Sequence, residues 1–158
     1  GVIIVRRKIE LFYGKRLTKP PKLYFLDTGL VCNLLGIRDR NTLANHPLRG
    51  AIFETYVLGE VIKHYANLGQ NPKLSYLRES SGLEIDLIIE QNTHLHPLQI
   101  KSGQTFNASW LYRFKLLGKH SADFSDGTVV YAGVEEFTMS QVKAISASHI
   151  ADALLAFS

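Results

Sequence analysis

Residues 83 to 102 read LEIDLIIEQNTHLHPLQIKS, two β-strand patterns, LEIDLIIE and HLHPLQIK, joined by a polar turn at Gln91, Asn92 and Thr93. Side chains alternate between the two faces of a strand. In the first strand Leu83, Ile85, Leu87 and Ile89 therefore share one face, and Glu84, Asp86 and Ile88 the other. In the second, Leu98 and Ile100 point one way and Gln99 and Lys101 the other. Pairing the two strands with their apolar sets together places Asp86, Gln99 and Lys101 on a common surface. A carboxylate and a lysine on a partly apolar face demand a partner or a purpose.

The stretch LRGAIFETYVLGEVIKHYANLG, residues 48 to 69, has the repeat of a long helix ended by Gly69. At roughly 100° per residue, Ala51, Leu58, Val61, Tyr65 and Leu68 fall on the same side as Glu54, with Glu60 and Lys63 opposite. Glu54 is thus a carboxylate inside an apolar stripe, where an unpaired charge is costly to desolvate and calls for a partner. Either a metal ion or a lysine meets that need.

Glu54 on a helix, Asp86 on a strand and Gln99-Ile100-Lys101 on the next strand are similar, in that order, to the PD-(D/E)XK nuclease superfamily. KLYFLDTGLVCNLLGI, HPLRGAIFETYVLGEVIKH, GLEIDLII and PLQIKSG also resemble the domain of unknown function that follows an AAA-type ATPase module in many bacterial and archaeal proteins. The likeness runs roughly from Gly14 to Gly133. It implies an α/β fold with a restriction-endonuclease-like core, in the order α-β-β-β-α-β, whose mixed central sheet is flanked by helices, with a basic N-terminal extension. It implies Asp86, Glu54, Gln99 and the Ile100 carbonyl as ligands for Mg²⁺, with Mn²⁺ as a substitute. Lys101 would orient water or stabilise charge on phosphorus. The catalytic set it implies is Lys101, Asp86, Glu54 and Gln99. The superfamily pattern has Asp or Glu two residues before the lysine; here Gln99, a neutral oxygen donor, removes one negative charge from the ligand set. The function implied is metal-dependent phosphodiester hydrolysis on DNA, or a catalytically inactive DNA-binding, regulatory or oligomerisation module of the ATPase. The partners implied are DNA and the ATPase module, and a homo-oligomer is among the assemblies allowed.

At 158 residues, 46% hydrophobic and 20% charged, the composition suits one globular unit with a sizeable core. The boundaries we expect are a basic extension with a short helix over 1–42 and the nuclease-like unit over 43–158. Apolar runs are short and interrupted by charge, so neither a transmembrane span nor a signal peptide is expected, and the cytoplasm is the default location. Because the chain starts at Gly1 rather than Met, we expect a fragment of a longer protein. Cys32 is the only cysteine, which excludes an internal disulfide and a paired-cysteine zinc site, and it is expected to be a small buried hydrophobe. The net charge of +4 and a pI near 9.2 favour a polyanionic partner. Arg6, Arg7, Lys15, Arg16 and Lys19, crowded near the start with Lys8 and Lys22, are the candidate phosphate contacts; a solvated arm is the alternative.

The remaining elements follow from local signals. GVIIVRRKIELFY suits a strand or hairpin before Gly14, and Pro20-Pro21 an extended connection. Asp27 is expected to cap a short helix, TGLVCNLLG, closed by Gly36. IRDRNTLANHP reads as a polar loop in which His46 could approach a phosphate or metal. LSYLRESSG is a strand, the segment from about Ser109 a helix with Trp110, Phe114 and Leu117 in register, and GTVVYAG a buried strand. EEFTMSQVKAIS is read as a strand or an irregular crossing, and SHIADALLAF as a final helix capped by Ser148. No G-x-x-x-x-G-K-[ST], G-x-S-x-G or H-E-x-x-H string occurs, so ATP hydrolysis by this chain is not expected. For Asp86 and Lys101 a plain cross-strand ion pair is the competing reading; Glu84 is either a further ligand or a solvated edge residue.

Overall fold

The computed structural model describes residues 1–7, 20–79, 82–119, 124 and 126–157. Eight strands form one mixed sheet: β1 (Val2–Arg7), β2 (Lys22–Phe25), β3 (Lys73–Arg78), β4 (Glu84–Gln91), β5 (His94–Lys101), β6 (Thr128–Tyr131), β7 (Phe137–Met139) and β8 (Val142–Ser146). Their order across the sheet is β2-β1-β3-β4-β5-β6-β8-β7. Five helices accompany them: α1 (Thr28–Leu34), α2 (Arg40–Asn45), α3 (Arg49–Asn67), α4 (Tyr112–Leu117) and α5 (Ile150–Leu155). None is long and apolar enough to cross a membrane, among the described residues.

The antiparallel meander β3-β4-β5 and the parallel pair β5-β6, with α4 between them, give the expected α-β-β-β-α-β order. On one face α3 and α5 bury Val57, Leu58, Val61, Tyr65, Ile150 and Leu154 against Leu87, Ile89, Leu98, Ile100 and Val130. On the other, Leu117 of α4 packs with Leu83, Ile85 and Ile88, and Phe114 with Val129, Tyr131 and Ala144. Helices on both faces explain why β4, β5 and β6 are nearly continuously buried.

Strict alternation fails in β4. Ser75 of β3 pairs with Ile88 but Leu77 with Ile85, so two steps on β3 match three on β4, and Asp86 and Leu87 both oppose Tyr76. This β-bulge puts Ile85 and Ile88 on the same face, where the sequence pattern had separated them. Residue periodicity carries no mark of an inserted position.

Elsewhere local chemistry decides. The Asp27 carboxylate accepts the Leu30 N–H at 2.9 Å, capping α1, and Gly36 ends the turn with φ of 72°. The loop expected at IRDRNTLANHP contains α2, because Asp39 accepts the Thr42 N–H at 2.8 Å and supplies a cap. The His46 Nδ1 accepts the Leu48 N–H at 3.1 Å and shapes the entry to α3. EEFTMSQVKAIS is the β7-β8 hairpin, turned by Ser140 and Gln141 at positive φ. Ser148 does not cap α5; its hydroxyl pairs with that of Ser146 at 2.9 Å, and a 3-10 turn over Ala147–His149 leads into the helix. Cys32 is half-buried rather than buried.

His96 is buried and stacked on Phe157, with ring centroids 4.2 Å apart, whereas His94 at the turn is exposed. Burial, then the neighbouring His94, holds the His96 pKa below its ordinary value of 6.5. The fold therefore favours neutral His96, so its contribution is full above the unfolded pKa and declines as pH falls below it. Denaturation between about pH 7.5 and 5.5 should show the wild-type chain losing more stability than His96→Gln.

Candidate functional site

Four elements converge on one cluster. β2 supplies Lys22 and Tyr24, α3 Glu54, β4 Asp86, and β5 Gln99, Ile100 and Lys101. Lys22 and Tyr24 are two residues apart on an edge strand, so both present the same face. Glu54 receives both: Lys22 Nζ lies 3.0 Å from Oε1, and the Tyr24 hydroxyl donates to the same oxygen. The Lys22 ammonium also sits 5.0 Å from the centre of the Tyr76 ring. Burial, then the Glu54 charge and the hydrogen bond to it, push the Tyr24 hydroxyl well above its ordinary pKa, which keeps it a donor.

Asp86 occupies the bulge. The β4–β5 ladder runs from Gln91–His94 to Leu87–Leu98, and at the next position Asp86 replaces it: Oδ2 accepts the Ile100 N–H at 2.8 Å. Backbone N–H groups lie in the plane of a sheet, so the bulge has turned this carboxylate into that plane. Lys101 Nζ is 3.7 Å from the same oxygen. Asp86 is 8% exposed, and its burial outweighs Lys101 and the Ile100 N–H, so its pKa is raised. Glu54 raises it further and Lys22 opposes, which ties the bulge electrostatically to α3 and β2.

Gln99 spans the gap that the broken ladder leaves. It is fully buried, and its Nε2 donates to the Glu84 carbonyl at 2.6 Å. That bond fixes which end of the amide is nitrogen, since a carbonyl needs a donor. Oε1 is then left buried without a hydrogen-bond partner among the described residues, a costly state that a protein retains for a reason. Glu84 itself is turned to Arg78 and Arg113, 3.7 and 3.9 Å from its carboxylate oxygens.

Sequence reasoning grouped Glu54, Asp86, Gln99 and Lys101; in the structure Asp86 and Lys101 lie together, Gln99 is held to the Glu84 carbonyl, and the lysine that Glu54 required is Lys22. It missed the roles of Lys22 and Tyr24. Their i, i+2 spacing after Pro20-Pro21 is visible, but nothing local indicates that a helix thirty residues later will dock on them. The side chains of Arg6 and Arg7 and all of Lys15, Arg16 and Lys19 lie outside the described residues.

Chemically, the cluster balances two carboxylates with two lysines. No group of three or more His, Cys, Asp and Glu residues exists among the described residues. A hard cation that keeps several waters and borrows substrate oxygens needs only one or two carboxylates from the protein. Asp86 offers a carboxylate whose ionised form burial disfavours, and Gln99 an Oε1 without a hydrogen-bond partner among the described residues.

Two uncharacterized mycobacterial proteins, Rv2008c of Mycobacterium tuberculosis and Mb2031c of Mycobacterium bovis, are each 35% identical to the chain over 151 residues. Each alignment covers 94% of the chain but 33% of the relative, so the chain spans about a third of their length. A solved half-complex of Thermococcus gammatolerans McrB AAA+ hexamers with bound McrC overlays with a TM-score of 0.45 at 11% identity, over 69% of this chain and 33% of that one. The model of a family described as a domain of unknown function, DUF4143, matches residues 49–150, which hold Glu54, Asp86, Gln99 and Lys101. The chain belongs to the DUF4143 family.

Proposed function

We propose that the cluster is a metal-dependent phosphodiester-hydrolysing site on a restriction-endonuclease-like core, acting on DNA. The reading rests on Gln99, whose buried Oε1 has no hydrogen-bond partner among the described residues and which follows Leu98, where the β4–β5 ladder ends before Asp86. Asp86, Gln99 and the Ile100 carbonyl would hold Mg²⁺ or Mn²⁺, with Glu54 acting through water. When bound, the ion would polarise a phosphoryl oxygen and acidify an attacking water. The protein's own part is positional. Tyr24 and Lys22 fix the Glu54 carboxylate, the bulge and the Ile100 N–H fix Asp86, and Lys101 Nζ stands ready to orient water or meet charge on phosphorus. Water oxygen bonds to phosphorus, one ester P–O bond breaks, and the departing oxygen takes up a proton.

A second reading has its own support. Lys22 and Lys101 already neutralise Glu54 and Asp86, which suits a retired site serving as a DNA-binding, regulatory or oligomerisation module of an AAA-type ATPase. The curated relatives are long enough to hold such a part. Incubation of the chain with linear and branched DNA in Mg²⁺ or Mn²⁺ separates the two. Cleavage lost in both Asp86→Ala and Lys101→Ala is the expected result. Cleavage that persists in Asp86→Ala, or none by the wild-type chain, would overturn the hydrolytic reading.

A further inference from the structure

Beside the carboxylate cluster lies a cavity of about 630 Å³ walled by α1, α2, the first half of α3 and the segments after β5 and β6. Its size falls in the roughly 300–1,000 Å³ range of small-ligand clefts. Two guanidinium groups line it, Arg40 and Arg49, and no carboxylate does. Arg49 is held in place: Nη1 donates to the Ala44 carbonyl at 2.9 Å and Nε to the Ser102 hydroxyl at 3.3 Å. Arg40 has no hydrogen bond or ion pair among the described residues, and the nearby Asp39 carboxylate is committed to capping α2. The cavity therefore carries two positive charges with no carboxylate among its lining residues. Thr28, Ser102 and Gln104 add polar groups, and the apolar part of the wall has Leu43 and Ile52 on one side and the Phe53 and Tyr56 rings, 6.3 Å apart, on another.

The two sites are contiguous along the chain. Ser102 of the cavity follows Lys101, and Phe53 precedes Glu54. A ligand that suits this wall pairs an anionic group with a flat, weakly polar body. A nucleotide does both: guanidinium groups match phosphate oxygens in geometry and charge, and an aromatic face accepts any base. We propose that this cavity receives one unpaired nucleotide of the substrate strand, its phosphate on Arg40 and Arg49 and its base against Tyr56, next to the phosphodiester presented to Asp86 and Lys101. The proposal rests on the hydrolytic reading for its biological meaning. It names the substrate as a strand with a single-stranded or extruded nucleotide beside the scissile bond. Paired duplex offers no free base to such a pocket.

Calorimetric titration of the chain with thymidine 5′-monophosphate in EDTA reads the cavity without any metal, and so independently of whether the carboxylate cluster turns over. Saturable binding is expected, weakened about tenfold or more by Arg40→Gln and severalfold by Tyr56→Ala. Thymidine and inorganic phosphate should each bind at least about tenfold more weakly than the nucleotide, because each lacks one half of the recognition. Asp86→Asn should leave the affinity unchanged. Arg40 is exposed and unpartnered, so its substitution should leave the melting curve in place. No saturable binding at millimolar nucleotide, equal binding by Arg40→Gln, or phosphate binding as tightly as the nucleotide would each overturn the proposal. Equal weakening by Asp86→Asn would do the same, by placing the nucleotide in the carboxylate cluster. Retained nucleotide binding without cleavage of DNA would remove the hydrolytic reading and keep the cavity assignment.

Discussion

Gln99→Glu should destabilise the metal-free chain at neutral pH by about 3–5 kcal/mol, the scale of an uncompensated buried charge. Gln99 is fully buried and donates to the Glu84 carbonyl. An ionised glutamate there has no hydrogen to offer, faces that carbonyl oxygen and stands beside Asp86. Protonation restores a donor, so the folded-state pKa of the new carboxyl is raised. Its contribution is then present at low pH and lost as pH rises through that pKa. Urea denaturation should show a deficit that widens from about pH 4.5 to 7.5. Adding Mg²⁺ or Mn²⁺ should narrow it, since a cation that binds only the folded state stabilises it by mass action. A deficit indifferent to both pH and metal would place Oε1 away from any cation position.

Asp86→Asn should separate stability from function. Asparagine keeps an acceptor for the Ile100 N–H but carries no charge, and the ionised aspartate is disfavoured in the fold because burial outweighs Lys101. The folded pKa of Asp86 is raised, so its contribution is full below the unfolded pKa and declines as pH rises through the folded value. The variant's advantage should accordingly appear over that rise and persist at neutral pH, as a higher melting temperature without metal. Metal-dependent cleavage should fall about 10²–10³-fold, the scale on which one preorganised electrostatic group acts. A stability gain with full activity retained would mean that Asp86 is only the ladder's substitute acceptor.

Much of this arrangement was legible before any coordinates. Apolar alternation gave the β4–β5 hairpin, helical periodicity gave α3, and a carboxylate in an apolar stripe announced that Glu54 needed a partner. What escaped was tertiary. The bulge at Asp86 and Leu87 depends on Tyr76 of the neighbouring strand, and no count along β4 alone reveals it. The choice of Lys22 for Glu54 depends on β2 docking beside α3, a contact 32 residues apart in sequence. Gln99 stood out only as a departure from an acidic pattern. Its burial and its bond to Glu84 recast that departure as a strut across an opened ladder, with an Oε1 that has no hydrogen-bond partner among the described residues. The helix α2 was missed because six residues with only Leu43 and Ala44 apolar carry no helical periodicity, although Asp39 and Thr42 stood at capping distance.

The most direct test of the central claim is calorimetric titration of the chain with Mn²⁺ and Mg²⁺, beside Asp86→Asn and Gln99→Glu. The account predicts one saturable site in the wild-type chain, lost in Asp86→Asn and about tenfold or more tighter in Gln99→Glu, where a charged oxygen replaces a neutral one. Absence of saturable binding at millimolar metal, or identical binding by Asp86→Asn, would contradict it.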